Sequence, residues 1–464
     1  MDNKREELLQ ESMGKLFIKM AIPGMIGMMV VGLYNLVDGI FVGQFVSPAA
    51  VSAVTMGYAV VLVNQAILSL FGSGAMSIFS RALGAEDYKT TDALFGNVFW
   101  LVGAGSLLLT AVTHTFAREI LECFGASGEI LSLGIEYLEV LSFGFVLGAL
   151  GPALNFLIRG EGQMKSAMKI ITMGIVANIV LDPIFIKVLG MGVKGAAIAT
   201  IIGQGLIVVG NLFHFNSCKS IINLRPASFR ISWNLVPEMV KVGSSAMIMS
   251  IAVALQLSIL LALSSAYGES SNIVMSVSFR VMSFFYIPVF GISYGLQPVL
   301  GANYGAGRYD RVNEAYWYFG KIATIIAVCV WAFFQIFAPF ILSWFITDQT
   351  MVEQGTRWFR LFQSSFFMYG FIGVTIMLFT ALGKAKKAAL STMGRQVFFF
   401  IPLAFILPSL FGEIGLWFAY PAGDSLVLML MFFLAAGEIR SLKAKIKQRY
   451  QSDSTSAQQA MAGS

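Results

Sequence analysis

The sequence has few charged residues for its length. Asp, Glu, Lys and Arg make up 12% of its 464 residues, whereas 57% are hydrophobic and the mean hydropathy is +0.76. A polar soluble surface cannot cover so many apolar side chains. The composition therefore predicts an integral membrane protein. The net charge of +6 does not indicate nucleic-acid binding, because the basic residues lie in short loops and at the chain ends, where they orient membrane helices.

Residues suited to covalent or metal chemistry are also scarce. The three cysteines are scattered, and the two histidines, His114 and His214, are far apart. The sequence therefore does not indicate a disulfide framework, a zinc site or a Cys-His catalytic pair. The sequence contains no GxxxxGK[ST] loop for ATP. We therefore expect that the protein is not an enzyme and uses no cofactor. An ion gradient is the remaining energy source for any work on a substrate.

Twelve apolar runs are long enough to cross about 30 Å of hydrocarbon as helices. They lie at 16–42, 51–79, 94–115, 130–158, 167–186, 193–213, 240–265, 272–300, 316–338, 357–381, 388–409 and 414–437. The predicted fold is all-α, with an N-lobe at 1–213, a linker at 214–238, a C-lobe at 239–438 and a polar tail at 439–464. The last residues of the tail are small and polar, so we expect them to be disordered.

The distribution of Lys and Arg predicts the orientation. With an even number of spans both termini lie on one side, and the loops on that side hold sixteen Lys and Arg residues, Arg395 among them. The loops on the opposite side hold five. By the positive-inside rule both termini are cytoplasmic.

An internal repeat relates the two halves. Four residues of the stretch 74–96 recur 221 residues later: Gly74, Gly84, Ala85 and Tyr88 match Gly295, Gly305, Ala306 and Tyr309. GVKGAAIAT and GEIGLWFAY match at an offset of 220. Since each half has an even number of spans, the repeat predicts two six-helix bundles related by a pseudo-two-fold axis along the membrane normal, as in alternating-access transporters.

Two carboxylates lie inside predicted spans of the first half. Asp38 is the one acid in the first span, and Asp182 lies in the fifth, on the same helix face as Asn178 four residues earlier. Thr200 of the sixth span lies at a similar depth. Acids inside a membrane usually face a protein interior or a cavity and have a function there. These oxygens suit Na⁺, or a proton held between two acids. The alternative is that each acid only hydrogen-bonds a neighbouring helix.

Other polar residues inside spans are weaker candidates. Tyr34 and Tyr137 lie near the depth of the two acids, whereas Asn155 is deeper and could line a cavity. For the hydroxyl groups, bonding to a neighbouring helix is an equally good interpretation. Pro183 removes a backbone donor and can free a carbonyl as a ligand. We interpret Glu161, at the end of a span, as a solvated charge.

These segments together resemble a bacterial multidrug and toxic compound extrusion (MATE) transporter over residues of about 10 to 440. The resemblance rests on four stretches: YNLVDGIFVGQ, RGEGQMKSAM followed by ANIVLDPIF, GVKGAAIAT, and GLQPVLGANYGAG. It implies two six-helix bundles around a central cleft and a first-lobe cation site at Asp38, Asn178, Asp182 and Thr200. It also implies cavity positions at Tyr137 and Asn155. Some members are similar in using acids in the seventh and tenth spans, where this chain has Gln256 and no Asp or Glu.

The resemblance and the acids together predict a secondary antiporter that exports cationic, aromatic drugs in exchange for H⁺ or Na⁺. We expect a monomer in the bacterial inner membrane, surrounded by lipid, with small cationic amphiphiles as substrates. The rival function is a flippase for lipid-linked precursors. A flippase would need a cationic cavity, whereas the intramembrane charges visible in the sequence are two acids and one arginine, Arg280, which has no assigned role.

Overall fold

The computed structural model describes residues 2–45, 48–123, 125–217, 220–222 and 224–462. Side chains are described within these ranges except at 2–3, 34–40, 42–45, 48–49, 51, 254, 449–450 and 452–462. Eleven helices in the described ranges are long and apolar enough to cross a membrane, and one bent pair of helices makes a twelfth span. The all-α membrane fold predicted from the sequence is confirmed.

The spans follow one another through short turns. In chain order their helices are Ile22–Phe45, Pro48–Gly84, Tyr88–Cys123, the pair Gly128–Phe143 and Phe145–Gly160, Met164–Pro183, Gly192–Phe215, Val236–Ser265, Glu269–Gly305, Tyr309–Ser343, the pair Gln349–Phe362 and Tyr369–Ala381, the pair Ala385–Met393 and Phe400–Phe411, and Glu413–Ala462. Most are longer than the apolar runs they contain, because their polar ends extend past the hydrocarbon. The last helix continues to Ala462, so the expectation of a disordered tail is wrong for its described backbone.

Irregular turns interrupt several spans. The fourth span bends by 51° at Gly144, where a Cβ atom would collide with Ile201 of the sixth span. A π-helical turn, Ile184–Val188, directly follows Pro183. Because proline lacks the N–H that closes a helical hydrogen bond, the local ladder is disturbed there as predicted. A second π-helical turn, Phe17–Ala21, precedes the first span.

The glycines of the sequence repeat lie where the two halves of the chain meet. A Cβ atom on Gly84 would collide with the carbonyl oxygen of Ala302, and one on Gly305 with the carbonyl oxygen of Arg81. Gly74 and Gly295 likewise lie against backbone of the opposite half, at Met239 and Met20. Only glycine permits such close approach of two helix backbones. The repeat therefore forms a pseudo-symmetric seam between the halves, at the end of the molecule that carries the termini.

The N-terminal helix, Asp2–Gln10, bridges both halves across this seam. Arg5 donates to the carbonyl oxygen of Gly84 and forms an ion pair of 2.8 Å with Glu86 in the first half. Asn303 of the second half donates to the carbonyl oxygen of Leu8 at 3.0 Å, and the Leu8 side chain is fully buried. The ion pair between Arg81 and Glu238, also 2.8 Å, crosses the seam beside it. These contacts hold the two halves together at the end of the termini.

The segment between the halves is short and is attached to the first half. It runs from the end of the sixth span at Phe215 to Val236, with one 3₁₀ turn, Pro226–Phe229. Glu161 accepts hydrogen bonds from Ser220 Oγ at 2.6 Å and from the Ile221 N–H at 3.2 Å. Glu161 is fully buried, so its interpretation as a solvated charge is wrong.

Candidate functional site

Three of the predicted site residues form one hydrogen-bonded group in the first half. Asn178 Nδ2 lies 3.4 Å from both Asp182 Oδ1 and Thr200 Oγ1. With its amide turned over, Asn178 donates to Asp182 Oδ2 at 3.2 Å and accepts from the Thr200 N–H at 3.0 Å. Asp182 is fully buried and Asn178 is 3% exposed. In either orientation, the amide links the acid of the fifth span to the sixth span.

Small residues bring the fifth and sixth spans together at this point. A Cβ atom on Gly203 would collide with the carbonyl oxygen of Gly174 and would lie 3.1 Å from Cβ of Asn178. The helical spacing of four residues then places Asp182 one turn beyond Asn178 on the same face. The sixth span contributes Thr200, whose hydroxyl also donates to the carbonyl oxygen of Ala196 at 3.0 Å. The carboxylate, amide and hydroxyl oxygens supply the ligand types that Na⁺ takes in proteins.

Two predicted residues lie in the part of the first span whose side chains are not described. Asp38 and Tyr34 belong to the helix Ile22–Phe45, but their side chains lie outside the described part of the chain. That helix packs along the fifth span and also contacts the sixth. Asp38 is thus carried by an element adjacent to the helix that carries Asp182.

Tyr137 and Asn155 have different surroundings. Tyr137 is 8% exposed and belongs to a cluster of buried residues that includes Ile186 and Ala197, from the elements that flank the Asp182 group. Asn155 is fully buried within the bundle. It donates to the carbonyl oxygen of Ala167 at 3.0 Å and to Asn211 Oδ1 at 3.2 Å, and it accepts from Arg159 Nε at 3.1 Å. Asn155 therefore joins the fourth, fifth and sixth spans in this conformation, and its assignment to a cavity stays a prediction.

The second half contains a buried charge pair that sequence reasoning missed. Arg395 Nε donates to Asp424 Oδ1 at 2.9 Å, and Ser365 donates to Asp424 Oδ2 at 2.8 Å. The guanidinium lies 4.5 Å from the ring centre of Tyr369 and 5.5 Å from that of Tyr286. Arg395 was counted among the loop residues, but it lies in a helical turn, Gly394–Phe399, and is 5% exposed. The predicted span 388–409 contains both Arg395 and Gln396, so counting Arg395 as a loop residue was wrong.

The remaining predicted residues of the second half do not join the Asp182 group. Gln256 is 2% exposed, and its Oε1 has no hydrogen-bond partner among the described residues. It lies on the seventh span, Val236–Ser265, and no contact with the Asp182 group is described. Arg280 is exposed and forms no ion pair within the described part of the chain. An exposed arginine can extend toward the lipid headgroups, which removes the need for an acidic partner.

A small pocket lies between the halves, next to the seam on its side away from the termini. Hydroxyl groups from both halves line it, with Ser69 and Ser73 on the second span and Ser245, Thr380 and Thr392 on the second half. The pocket has a volume of about 40 Å³, which is enough for one or two water molecules. The pocket therefore has polar groups from both halves among its apolar lining residues.

Two related helical halves that lie in a membrane and meet at one end are an architecture found in membrane transporters. The family model MatE matches residues 23–184 and 245–406, which reproduces the spacing of the sequence repeat to within two residues. This chain belongs to the MatE family of multidrug and toxic compound extrusion transporters.

Known proteins are similar over nearly the whole chain. The multidrug export protein MepA of Staphylococcus aureus strain N315 is 28% identical over 433 residues, covering 90% of this chain and 93% of MepA. The MepA of Staphylococcus haemolyticus is 24% identical over 427 residues, covering 92% of this chain and 94% of that protein.

Solved structures agree with the same fold. A MATE structure in the bent conformation superposes with a TM-score of 0.87 at 27% identity, covering 95% of this chain and 98% of the other. An outward-facing multidrug resistance MATE transporter of the MOP superfamily superposes with a TM-score of 0.86, also at 27% identity, covering 94% and 98%. The prediction of a MATE-type fold of two six-helix bundles is confirmed.

Proposed function

We propose that this protein is a secondary active multidrug exporter. It would move small cationic, aromatic compounds out of a bacterial cell across the cytoplasmic membrane, in exchange for H⁺ or Na⁺. Membership of the MatE family and likeness to proteins named multidrug export protein support the export of drugs. We also propose that the protein is a monomer and that both of its termini lie in the cytoplasm.

The observation that carries ion coupling is the hydrogen-bonded group of Asp182, Asn178 and Thr200. A fully buried acid with an amide 3.2–3.4 Å away can hold a proton. It can also bind a cation once the amide turns its oxygen toward the ion. Either ion changes the hydrogen bonds between the fifth and sixth spans. An ion shifts the balance of two conformations only through its different affinity for each, and a rearranged Asn178 supplies such a difference.

The second element of the proposal is alternating access. The two halves meet along the seam of Gly84 and Gly305, at the end of the molecule that carries the termini. A drug in the cleft would therefore leave toward the opposite side of the membrane. The similarity to an outward-facing MATE structure supports this assignment. Opening toward the cytoplasm would require the seam and the bridge made by the N-terminal helix to separate.

The flippase alternative has less support in the described side chains. Recognition of a pyrophosphate would require cationic groups free to face the cleft. Arg395 is paired with Asp424, and Arg159 is 5% exposed, bonded to Asn155 and placed over the rings of Phe156 and Tyr294. Neither buried arginine is available for a phosphate in this conformation.

Efflux from proteoliposomes tests the proposal. Vesicles loaded with ethidium would be given a pH gradient or a Na⁺ gradient separately, with the wild type, Asp182→Asn and Asp38→Asn compared. We expect at least one gradient to drive efflux by the wild type and neither to drive it in the variants, which should still bind ethidium. Glu139→Gln, a change at an exposed acid of the fourth span, is the matched control and should behave as the wild type. Gradient-driven efflux by Asp182→Asn at the wild-type rate would refute the assignment.

A further inference from the structure

A groove on the outside of the first half is separate from the proposed ion site. Its walls are the N-terminal helix, the turn Phe17–Ala21, the beginning of the first span and the beginning of the fifth span. Its volume is about 700 Å³. The groove lies at the end of the molecule that carries the termini, where the spans leave the hydrocarbon.

One end of the groove is basic. Lys165 and Lys169 are exposed, one helical turn apart on the fifth span, and Lys4 faces them from the N-terminal helix. None of these three lysines forms an ion pair with a residue in the described ranges. The fourth lysine of the groove, Lys19, forms ion pairs with both Glu7 and Glu11, with 2.7 Å to each, so these three residues together carry one negative charge. With Lys4, Lys165 and Lys169, which have no acidic partner in the described ranges, the groove is still net positive.

The other end of the groove is apolar. Ile18, Ile22 and Ile26 follow one another at intervals of four residues along one helix face and are 61%, 39% and 58% exposed. Met168 forms the opposite wall, and a Cβ atom on Gly27 would collide with it, so the floor is closed by tight packing of the two spans. Exposed isoleucines on a membrane helix are covered by hydrocarbon chains rather than by water.

We propose that this groove binds an anionic phospholipid from the leaflet on the side of the termini. Its phosphate would lie among Lys4, Lys165 and Lys169, and one acyl chain would follow Ile18, Ile22 and Ile26. Basic pockets between membrane helices at the headgroup level favour anionic lipids over zwitterionic ones. The hydroxyl group of Ser166, which also lines the groove, can donate to a phosphate oxygen.

The position of the groove gives the lipid an effect on conformation. The bound lipid would touch the N-terminal helix that bridges the two halves and, at Ile22, Pro23 and Gly27, the first span that carries Asp38. Opening of the seam would move the N-terminal helix relative to the fifth span and would separate Lys4 from Lys165. The lipid therefore stabilises the conformation that is closed at this end.

Thermal unfolding of the delipidated, full-length protein tests the site. Phosphatidylglycerol, phosphatidylcholine and inorganic phosphate would be titrated separately, and bound lipid would be counted by native mass spectrometry. We expect phosphatidylglycerol alone to bind and to raise Tm. Lys165→Gln/Lys169→Gln should weaken its binding by about tenfold or more. Lys443→Gln/Lys447→Gln is the control, because these lysines are also exposed and one turn apart on a helix at the same end, and it should bind as the wild type.

Three results would overturn the proposal. The first is equal stabilisation by phosphatidylglycerol and phosphatidylcholine, which would show that the groove does not distinguish an anionic headgroup from a zwitterionic one. The second is equal stabilisation by inorganic phosphate, which would show a site for free anions. The third is unchanged binding in the groove variant. None of these depends on drug transport, so the lipid site and the proposed export function can fail independently.

Discussion

Gly84 and Gly305 occupy corresponding places in the two halves of the chain, and each lies against the backbone of the other half. Gly84 meets the carbonyl oxygen of Ala302, and Gly305 meets that of Arg81. Ala302 and Arg81 are themselves 221 residues apart, so the contact is made twice around the pseudo-two-fold axis. A side chain at either glycine would have to separate the halves at the end of the termini.

We therefore predict that Gly305→Leu shifts the protein toward the conformation open at that end. Overpacking of a tight contact typically costs about 1–3 kcal/mol, which corresponds to a change of about 5-fold to 150-fold in the ratio of closed to open molecules. Labelling of a cysteine introduced at Ser80, which lies in the seam, would measure it in a cysteine-free background. The label should react faster in the variant.

The control for this prediction is Gly103→Leu. Gly103 also lies within a span, but nothing lies within 4 Å of the position of its Cβ atom. Labelling should stay at the wild-type rate. Equal acceleration by both substitutions would indicate general loosening of the helices, and no acceleration by Gly305→Leu would show that the seam is not the gate.

The sequence repeat was sufficient to predict two related halves, because glycines recurring at a fixed offset mark positions where backbones approach. The residue that each glycine contacts was not predictable. The repeat shows which positions of the two halves are equivalent, but it does not show which of them touch. Asn178 and Asp182 were predictable as neighbours from helical spacing alone. Their contact with Thr200 depends on Gly203 and Gly174 bringing two spans together, which no local pattern encodes.

Buried charges were the main failure of sequence reasoning. Glu161 follows a span and precedes a loop, which is typical of a solvated acid, but tertiary contacts with Ser220 and the Ile221 N–H bury it. Arg395 was counted with the loop lysines Lys384, Lys386 and Lys387, although the predicted span 388–409 contains it. Its partner Asp424 is 29 residues away, on another helix, and only the packing of the last two spans brings them together.

Loss of one member of this pair should destabilise the protein strongly. Asp424→Asn leaves the Arg395 guanidinium buried without a counter-charge, and breaking a buried ion pair in this way costs about 3–5 kcal/mol. Thermal unfolding in detergent should show a large fall in Tm. Arg395→Leu/Asp424→Leu removes both charges and should recover much of the loss. A double variant less stable than Asp424→Asn would mean that the pair holds the spans together in a way that apolar packing cannot replace.

The N-terminal helix should contribute to the stability of the closed seam. Deleting residues 2–10 removes the contacts of Arg5 with Gly84 and Glu86 and the burial of Leu8 and Leu9. Each buried leucine stabilises by about 1.5–3 kcal/mol, so Tm should fall and labelling at the seam should increase. Deleting residues 453–464 is the control truncation and should change neither quantity. A normal seam in the shortened protein would show that the bridge is not required for closure.

The identity of the driving ion should be visible in the pH dependence of Na⁺ binding. If H⁺ and Na⁺ bind the same acids, Asp38 and Asp182, a proton on either acid excludes the metal, and raising the pH should tighten Na⁺ binding until both are ionised. Where one proton is displaced, affinity should change about tenfold per pH unit. Isothermal calorimetry from pH 5.5 to 8.5 would measure it, with Asn178→Ala expected to weaken Na⁺ more than H⁺ because a neutral amide oxygen ligates only the metal. A sodium affinity that is flat over this range, or that survives Asp182→Asn, would place the ion elsewhere.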